Sequence, residues 1–485
     1  MSEETPTDPR AAARRHAERV RALSGDDTDP AFPSARPVER RDPYDAFATP
    51  ATAPTAAGVD GELGDLRVAT KDNVAVGGLT HSAGTGDLRW SPEVDATVVE
   101  RLRAAGAEFV GTTRMDALAL GVTGEACRAG PTANPVADGR VPGGSSSGSA
   151  AAVAGDLADA AIGTDTGGSV RVPAAFCGVV GVKPTYDRVP RTRVLDLAPT
   201  LDHVGVLARD VATAARTLDV VSGGDPLRPS TAPAEPTDAS AALTRAPSRL
   251  RVGVLEPFVD AAERRVAVAF EEAMAALATR EGVVVERLPF PEHDGAEAVN
   301  QLHTLAEFGA LLGADARRNG EGRDPTMVPQ LPADIGSLDV PDRVERLAAT
   351  GRELARDRNS ARDRDSTRDG DETDHPGDAY ADAWDARRRL VRRTQACLDR
   401  VDVLATPTTP TTAPEYGAVG DGSEATVSPG RVLANTAAFN CTGNPAVSVP
   451  CGEAGGLPVG LQVVAPLGRD ERALRVAAEI ESLTE

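Results

Sequence analysis

The sequence predicts an α/β protein, and three observations carry that prediction. β-prone apolar runs alternate with longer helical stretches, most plainly at Leu250–Leu255, Asp260–Arg280, Val283–Leu288 and Ala296–Leu312. The Ala-rich segment Ala150–Ala161 is a strong helix former with little polar surface, so it reads as a buried helix. A chain of 485 residues, 41% of them hydrophobic, can bury a sizeable core in one large domain or two to three smaller ones.

Taken in order, Thr7–Leu23 carries Ala and Arg at helical spacing, and Ser24–Glu62 reads as an irregular arm with a turn at Asp42-Pro43-Tyr44. Leu66–Ala69 is a short strand, Ala96–Ala105 an amphipathic helix and Glu108–Gly111 a strand. Gly130–Pro142 is a loop. Cys177–Val182 and Leu201–Val206 read as strands, followed by a helix at Asp210–Val221. Pro226–Pro247, rich in Pro, Ala, Thr and Ser, marks a subdomain boundary. Arg352–Gly377 is too dense in Arg, Asp and Glu to bury a core, and reads as a solvated loop or helix surface. Tyr380–Leu398 is a helix and Val401–Thr406 a strand. Thr436–Pro450 and Pro458–Val464 supply late strands, and Arg469–Leu483 is a closing helix. The division expected is an N-terminal helix and arm (1–65), a core (66–225 and 378–485) and a less regular helical insertion lining the substrate pocket (226–377). Core and insertion together would form one compact domain.

Charge and cysteine usage narrow the function. A net charge of −21 argues against direct nucleic-acid binding, which needs clustered positive charge. Only two lysines occur, Lys71 and Lys183, among abundant arginines. Such an acidic, Lys-poor composition suits salt adaptation, since a dense carboxylate surface stays soluble where salt screens repulsion. Five cysteines with no Cys-x-x-Cys pair indicate neither a disulfide framework nor a zinc site, and buried free thiols fit a reducing, cytoplasmic compartment. No apolar run suits a signal peptide or a membrane span.

The chemistry concentrates between Val141 and Ala174. Two small-residue clusters, Gly143–Ser149 and Thr164–Ser169, flank the Ala-rich segment. Glycines allow backbone N–H groups to approach a ligand closely, and serine hydroxyls become nucleophiles once a base activates them. A flexible linker would not run straight into an apolar helical segment, and a phosphate loop needs Gly-Lys-Ser/Thr where this chain has Gly148-Ser149-Ala150. Lys71 follows a short buried strand. A lysine there is unusual, and in an Arg-rich chain its retention suggests a task arginine cannot perform, because only lysine can lose its proton when buried. No Gly-x-Ser-x-Gly elbow or Ser–His–Asp order accompanies the six histidines, His81 and His203 included.

The stretch Gly143–Pro173 resembles, without a gap, the signature of the amidase signature family, serine hydrolases with a Ser–Ser–Lys triad. Thr70-Lys71-Asp72-Asn73 is similar to that family's Lys-Asp-Asn motif. Thr113–Ala117 and Pro407–Pro410 are similar to further family segments, and Lys183 fits one without assigned chemistry. The resemblance implies Ser169 as nucleophile, Ser145 as bridging serine and Lys71 as base. It implies an oxyanion hole of backbone N–H groups from Thr166, Gly167, Gly168 and Ser169, and a cis Gly144–Ser145 peptide. Gly144, Ser146, Asp165 and Arg171 would support these groups, with Asp165 and Arg171 read either as braces of the nucleophile turn or as a plain structural ion pair. The family's fold is a large mixed β-sheet covered on both faces by helices.

Two functions are weighed: a free-standing amidase cleaving a carboxamide through an acyl-enzyme, and the glutaminase (A) subunit of a tRNA-dependent amidotransferase. By its resemblance to this chain the second implies a distal Arg-containing segment, which Asn319–Gly377 does not resemble, and a late Asp before the final strands, where Val432-Leu433-Ala434-Asn435 precedes Thr436 with no acid. The free-standing enzyme is therefore expected, with a small-molecule amide as partner, no cofactor or metal, no direct nucleic acid, no membrane, and a homodimer compatible with the sequence.

Overall fold

The computed structural model describes residues 42–484 apart from 56–60, 232–233, 245–248, 313–328, 330, 333–334, 363–375, 421 and 424. The helix expected at Thr7–Leu23 lies outside the described residues. The arm is not wholly irregular: Phe47–Thr55 forms strand β1, held by antiparallel pairing to β3 (Glu108–Thr113).

Eleven strands form one mixed sheet. The others are β2 (Arg67–Lys71), β4 (Ala160–Asp165), β5 (Val180–Lys183), β6 (His203–Ala208), β7 (Leu250–Leu255), β8 (Val283–Leu288), β9 (Val403–Pro407), β10 (Ala446–Glu453) and β11 (Pro458–Val464). Their spatial order is β1-β3-β2-β4-β6-β5-β10-β11-β9-β7-β8. β2 runs parallel to β3 and β4, and β7 parallel to β8 and β9, whereas the central neighbours are antiparallel. Two strands of the segment expected as a less regular insertion, β7 and β8, therefore extend the same sheet.

Helices cover both faces, as the alternation of side chains along one strand shows. Ala160 and Ile162 of β4 pack into a core shared with helices α4 (Val211–Val221) and α13 (Asp470–Thr484), while Ala161 between them packs into a second core with α2 (Ser147–Ala154). Asp210 caps α4 by accepting from the Thr213 N–H at 2.6 Å. The predicted helix Ala150–Ala161 is corrected here. It stops at Ala154, Gly155 follows as C-cap, Asp156 takes φ +56, and Ala160 and Ala161 join the sheet. Helix propensity favours alanine everywhere, but a strand buried on both faces also needs small side chains, and packing wins. The late segment read as strand from Thr436 likewise begins with a helix, α12 (Ala437–Thr442).

The remaining helices are α1 (Thr97–Ala104), α3 (Arg171–Cys177), α5 (Ala239–Leu243), α6 (Glu256–Asp260), α7 (Arg264–Ala278), α8 (Ala296–Leu311), α9 (Asp342–Arg362), α10 (Pro376–Leu398) and α11 (Pro429–Leu433). All five cysteines are free and buried. No helix among the described residues is long and apolar enough to cross a membrane, and no group of His, Cys, Asp and Glu among them could hold a metal ion.

Candidate active site

Parallel pairing of β2 with β4 brings Lys71, the last residue of β2, beside Thr164 near the end of β4. Lys71 is fully buried. Its Nζ donates to Ser145 Oγ at 2.8 Å and to Thr164 Oγ1 at 2.9 Å. Asn73 Nδ2 donates to the same threonine oxygen at 3.2 Å. Burial pushes the Lys71 amine down to about 7, against the opposing pull of the Asp116, Asp165 and Asp202 carboxylates.

Ser145 lies in the loop leading into α2, after a cis Gly144–Ser145 peptide. Two contacts fix that loop. Ser145 O accepts the Asp116 N–H at 3.2 Å, and Ser146 Oγ donates to Thr164 O at 3.2 Å. Gly163 makes the second close approach feasible, since a Cβ there would sit 2.8 Å from Ser146 Oγ. The Asp116 carboxylate accepts from the N–H groups of Gly124 and Ala126 and is packed against Gly144. Burial raises its pKa.

Ser169 sits in the turn between β4 and α3 and is 6% exposed. The N–H groups of Val170 and Arg171 are taken by the Asp165 carboxylate. Those of Thr166, Gly167, Gly168 and Ser169 have no acceptor among the described residues, so they remain available to a ligand. The two serine clusters meet through the backbone, where Ser146 N–H donates to Ser169 O at 3.2 Å. Ser169 Oγ makes no hydrogen bond to a described residue.

Arg171 is fully buried and donates to Asp165 through Nε (3.0 Å) and Nη2 (2.8 Å). It also donates to Thr436 O, Gln462 Oε1 and Asn440 Oδ1. Burial works against the Asp165 charge, but the Arg171 guanidinium outweighs it and holds the carboxyl well below its ordinary range. Sequence reading misses the polar residues that close around this turn. Thr436 Oγ1 donates to Gly167 O at 2.6 Å, Asn300 Nδ2 to Thr166 O at 3.0 Å, and Thr166 Oγ1 to Asp202 at 2.6 Å. Burial, aided by Asp196, raises the Asp202 carboxyl to about 7. These residues come from distant segments and carry no local pattern that would mark them. Lys183 is tied to the carbonyls of Asn444 and Pro184, as a structural lysine would be. His203 is buried with Nδ1 2.6 Å from Leu201 O, and its Nε2 meets no hydrogen-bond partner among the described residues, Ser169 included.

Ser169 opens into a partly open cavity. Leu120, Val122, Leu197, Leu305, Leu347 and Leu433 supply its apolar walls, and Glu297 and Arg343 its only charged side chains among the described residues. Leu433, from the segment Val432-Leu433-Ala434-Asn435, is one of those walls.

Fold and site together define an amide hydrolase, an enzyme acting on a carbon–nitrogen bond. The family model described as Amidase matches residues 15–474, and the chain belongs to that family. It is 38% identical over 443 residues to the A subunit of the glutamyl-tRNA(Gln) amidotransferase of Natronomonas pharaonis, an alignment covering 90% of this chain and 99% of that protein. The crystal structure of the corresponding amidotransferase A subunit from Thermotoga maritima superposes with a TM-score of 0.73 at 30% identity, covering 90% of this chain and 87% of that one. The peptide amidase of Stenotrophomonas maltophilia superposes with a TM-score of 0.66 at 29% identity, covering 87% and 83%. These relatives overturn one expectation. Partners limited to a small-molecule amide and a second copy of the chain, with no nucleic acid in view, do not fit full-length relatives that are one subunit of an enzyme named for its transfer RNA.

Proposed function

We propose that this chain is the ammonia-releasing subunit of a cytoplasmic amidotransferase, hydrolysing a primary carboxamide through an acyl-enzyme on Ser169. The observation that carries this reading is the buried 2.8 Å contact between Lys71 and Ser145, with the lysine poised to be neutral. Neutral Lys71 takes the Ser145 proton while Ser145 takes that of Ser169, and Ser169 Oγ bonds to the carbonyl carbon. The oxyanion enters the ring of unpaired N–H groups at Thr166, Gly167, Gly168 and Ser169, each such donor contributing about 2.7–4 kcal/mol in the transition state. Collapse breaks the C–N bond, and the relay returns its proton through Ser145 to the departing nitrogen. Water then attacks the acyl carbon by the same route, releasing the acid and restoring Ser169. Gly144 and Ser146 hold the Ser145 loop, and Asp165 with Arg171 holds the Ser169 turn.

The test is ammonia release from glutamine and from simple carboxamides, with and without partner amidotransferase subunits. Release from glutamine that rises when the partners are added supports the reading. The apolar walls at Leu347 and Leu433 favour a second reading on substrate alone, an amide with an aliphatic body. Turnover of aliphatic amides with glutamine inert under every condition would select it.

A further inference from the structure

The cavity beside Ser169 contains a carboxylate that no described residue pairs, although Arg343 lines the same cavity. Glu297 lies in the first turn of α8, half-buried, and has no hydrogen-bond or ion-pair partner among the described residues. The turns of α8 place Asn300, Gln301 and Thr304 on the same side, so one helix face looks into the cavity. Room for the carboxylate is built in: a Cβ at Gly430 would stand 2.8 Å from its nearer oxygen. Burial raises the Glu297 pKa. Taking a carboxylate partly out of water without a partner is costly, and the group is compensated when a cation arrives.

We propose that Glu297 is a specificity residue that receives a protonated amine on the acyl part of the amide substrate, an inference that rests on Ser169 as the nucleophile. The apolar walls fit the methylenes between the amine and the carboxamide. The oxyanion turn at Thr166–Ser169 lines the same cavity, so one molecule spans both ends. The class implied is an amino-substituted aliphatic amide, which includes glutamine and longer ω-amino amides.

The experiment compares kcat/KM for 5-aminopentanamide, pentanamide and glutamine, in wild type and Glu297→Gln, on the full chain with its partner subunits present. Thermal melting of both proteins checks that the substitution folds. Wild type is expected to prefer the amine-bearing amide over pentanamide at least tenfold, chiefly through KM, and Glu297→Gln to bring that ratio close to one. An equal ratio in the two proteins, or a wild-type preference for pentanamide, overturns the proposal. Labelling of Ser169 with a fluorophosphonate separates the two failures. A labelled enzyme that ignores the amine refutes only the role of Glu297, whereas an unlabelled enzyme inactive on all three amides refutes the Ser169 reading together with it.

Discussion

The Lys71 amine stands 2.8 Å from the Ser145 hydroxyl, both side chains sealed from solvent. Because burial lowers the lysine to about 7, its base form grows as pH rises through neutrality. kcat/KM is expected to climb across that region and level off roughly one unit above it. Lys71→Arg keeps the charge but cannot give up a proton, so its activity should be abolished at every pH. A wild-type profile flat from about pH 6 to about pH 9 would remove the lysine from the base role. Stability carries the same signature. Between about 7 and 10.5 the unfolded lysine is protonated and the folded one is not, so unfolding takes up a proton and stability rises with pH. Lys71→Met should flatten that slope, measured by urea melts across the window.

Ser169 tests the chemistry without disturbing the fold, because its hydroxyl holds no other described residue in place. Ser169→Ala should lower kcat by at least about a thousandfold, the scale on which removal of a nucleophile acts elsewhere. Its circular dichroism and melting temperature should match wild type. Residual turnover near the wild-type level would reassign the nucleophile.

Arg171 sits at the centre of a buried polar network. Its guanidinium bridges Asp165, Asn440, Gln462 and the Thr436 carbonyl with no exposure to water. Arg171→Met would leave the Asp165 carboxylate buried and uncompensated, a loss of about 3–5 kcal/mol. Urea unfolding should register it, and Asp165→Asn in the same background should recover part. A variant as stable as wild type would show that the pair is dispensable to the fold.

What the sequence discloses about this site follows from how local each signal is. Lys71 stands out because the chain uses arginine almost everywhere else, and the serine clusters stand out as contiguous text. Asn300, Thr436, Asn440 and Gln462 are single polar residues in unrelated segments, and only the closed sheet brings them to the Asp165–Ser169 turn. The strand Ala160–Asp165 is illegible for a different reason. Alanine speaks for helix in isolation, and only the helices packed on both faces of β4 favour small residues in a strand there. The β7 and β8 strands are readable as strands, but their attachment through β9 to the common sheet is not, since β9 lies more than a hundred residues beyond β7.

The acidic surface predicts a dependence on salt. With a net charge of −21, repulsion among carboxylates opposes compaction at low ionic strength and is screened as salt rises. The melting temperature should increase as potassium chloride goes from about 0.1 M to about 2 M, well beyond the range in which a Debye length near 10 Å already shrinks several-fold. A maximum near zero salt would mean that the composition reflects no adaptation of this kind.

Gly168 offers the sharpest test of the proposed oxyanion turn. It adopts φ +146, a conformation L side chains rarely take, and a Cβ there would overlap the Thr436 side chain. Thr436 in turn holds the Gly167 carbonyl at 2.6 Å, which orients the N–H groups of the turn. Gly168→Ala should therefore displace the donors more than it unfolds the chain. The expected result is a fall in kcat of about a hundredfold or more, the effect of losing one oxyanion donor, with KM nearly unchanged. Adding Thr436→Ala removes the overlap but not the backbone strain, so the double variant should regain only part of the rate. Full activity in Gly168→Ala alone would show that the oxyanion is held by groups other than the 166–169 amides.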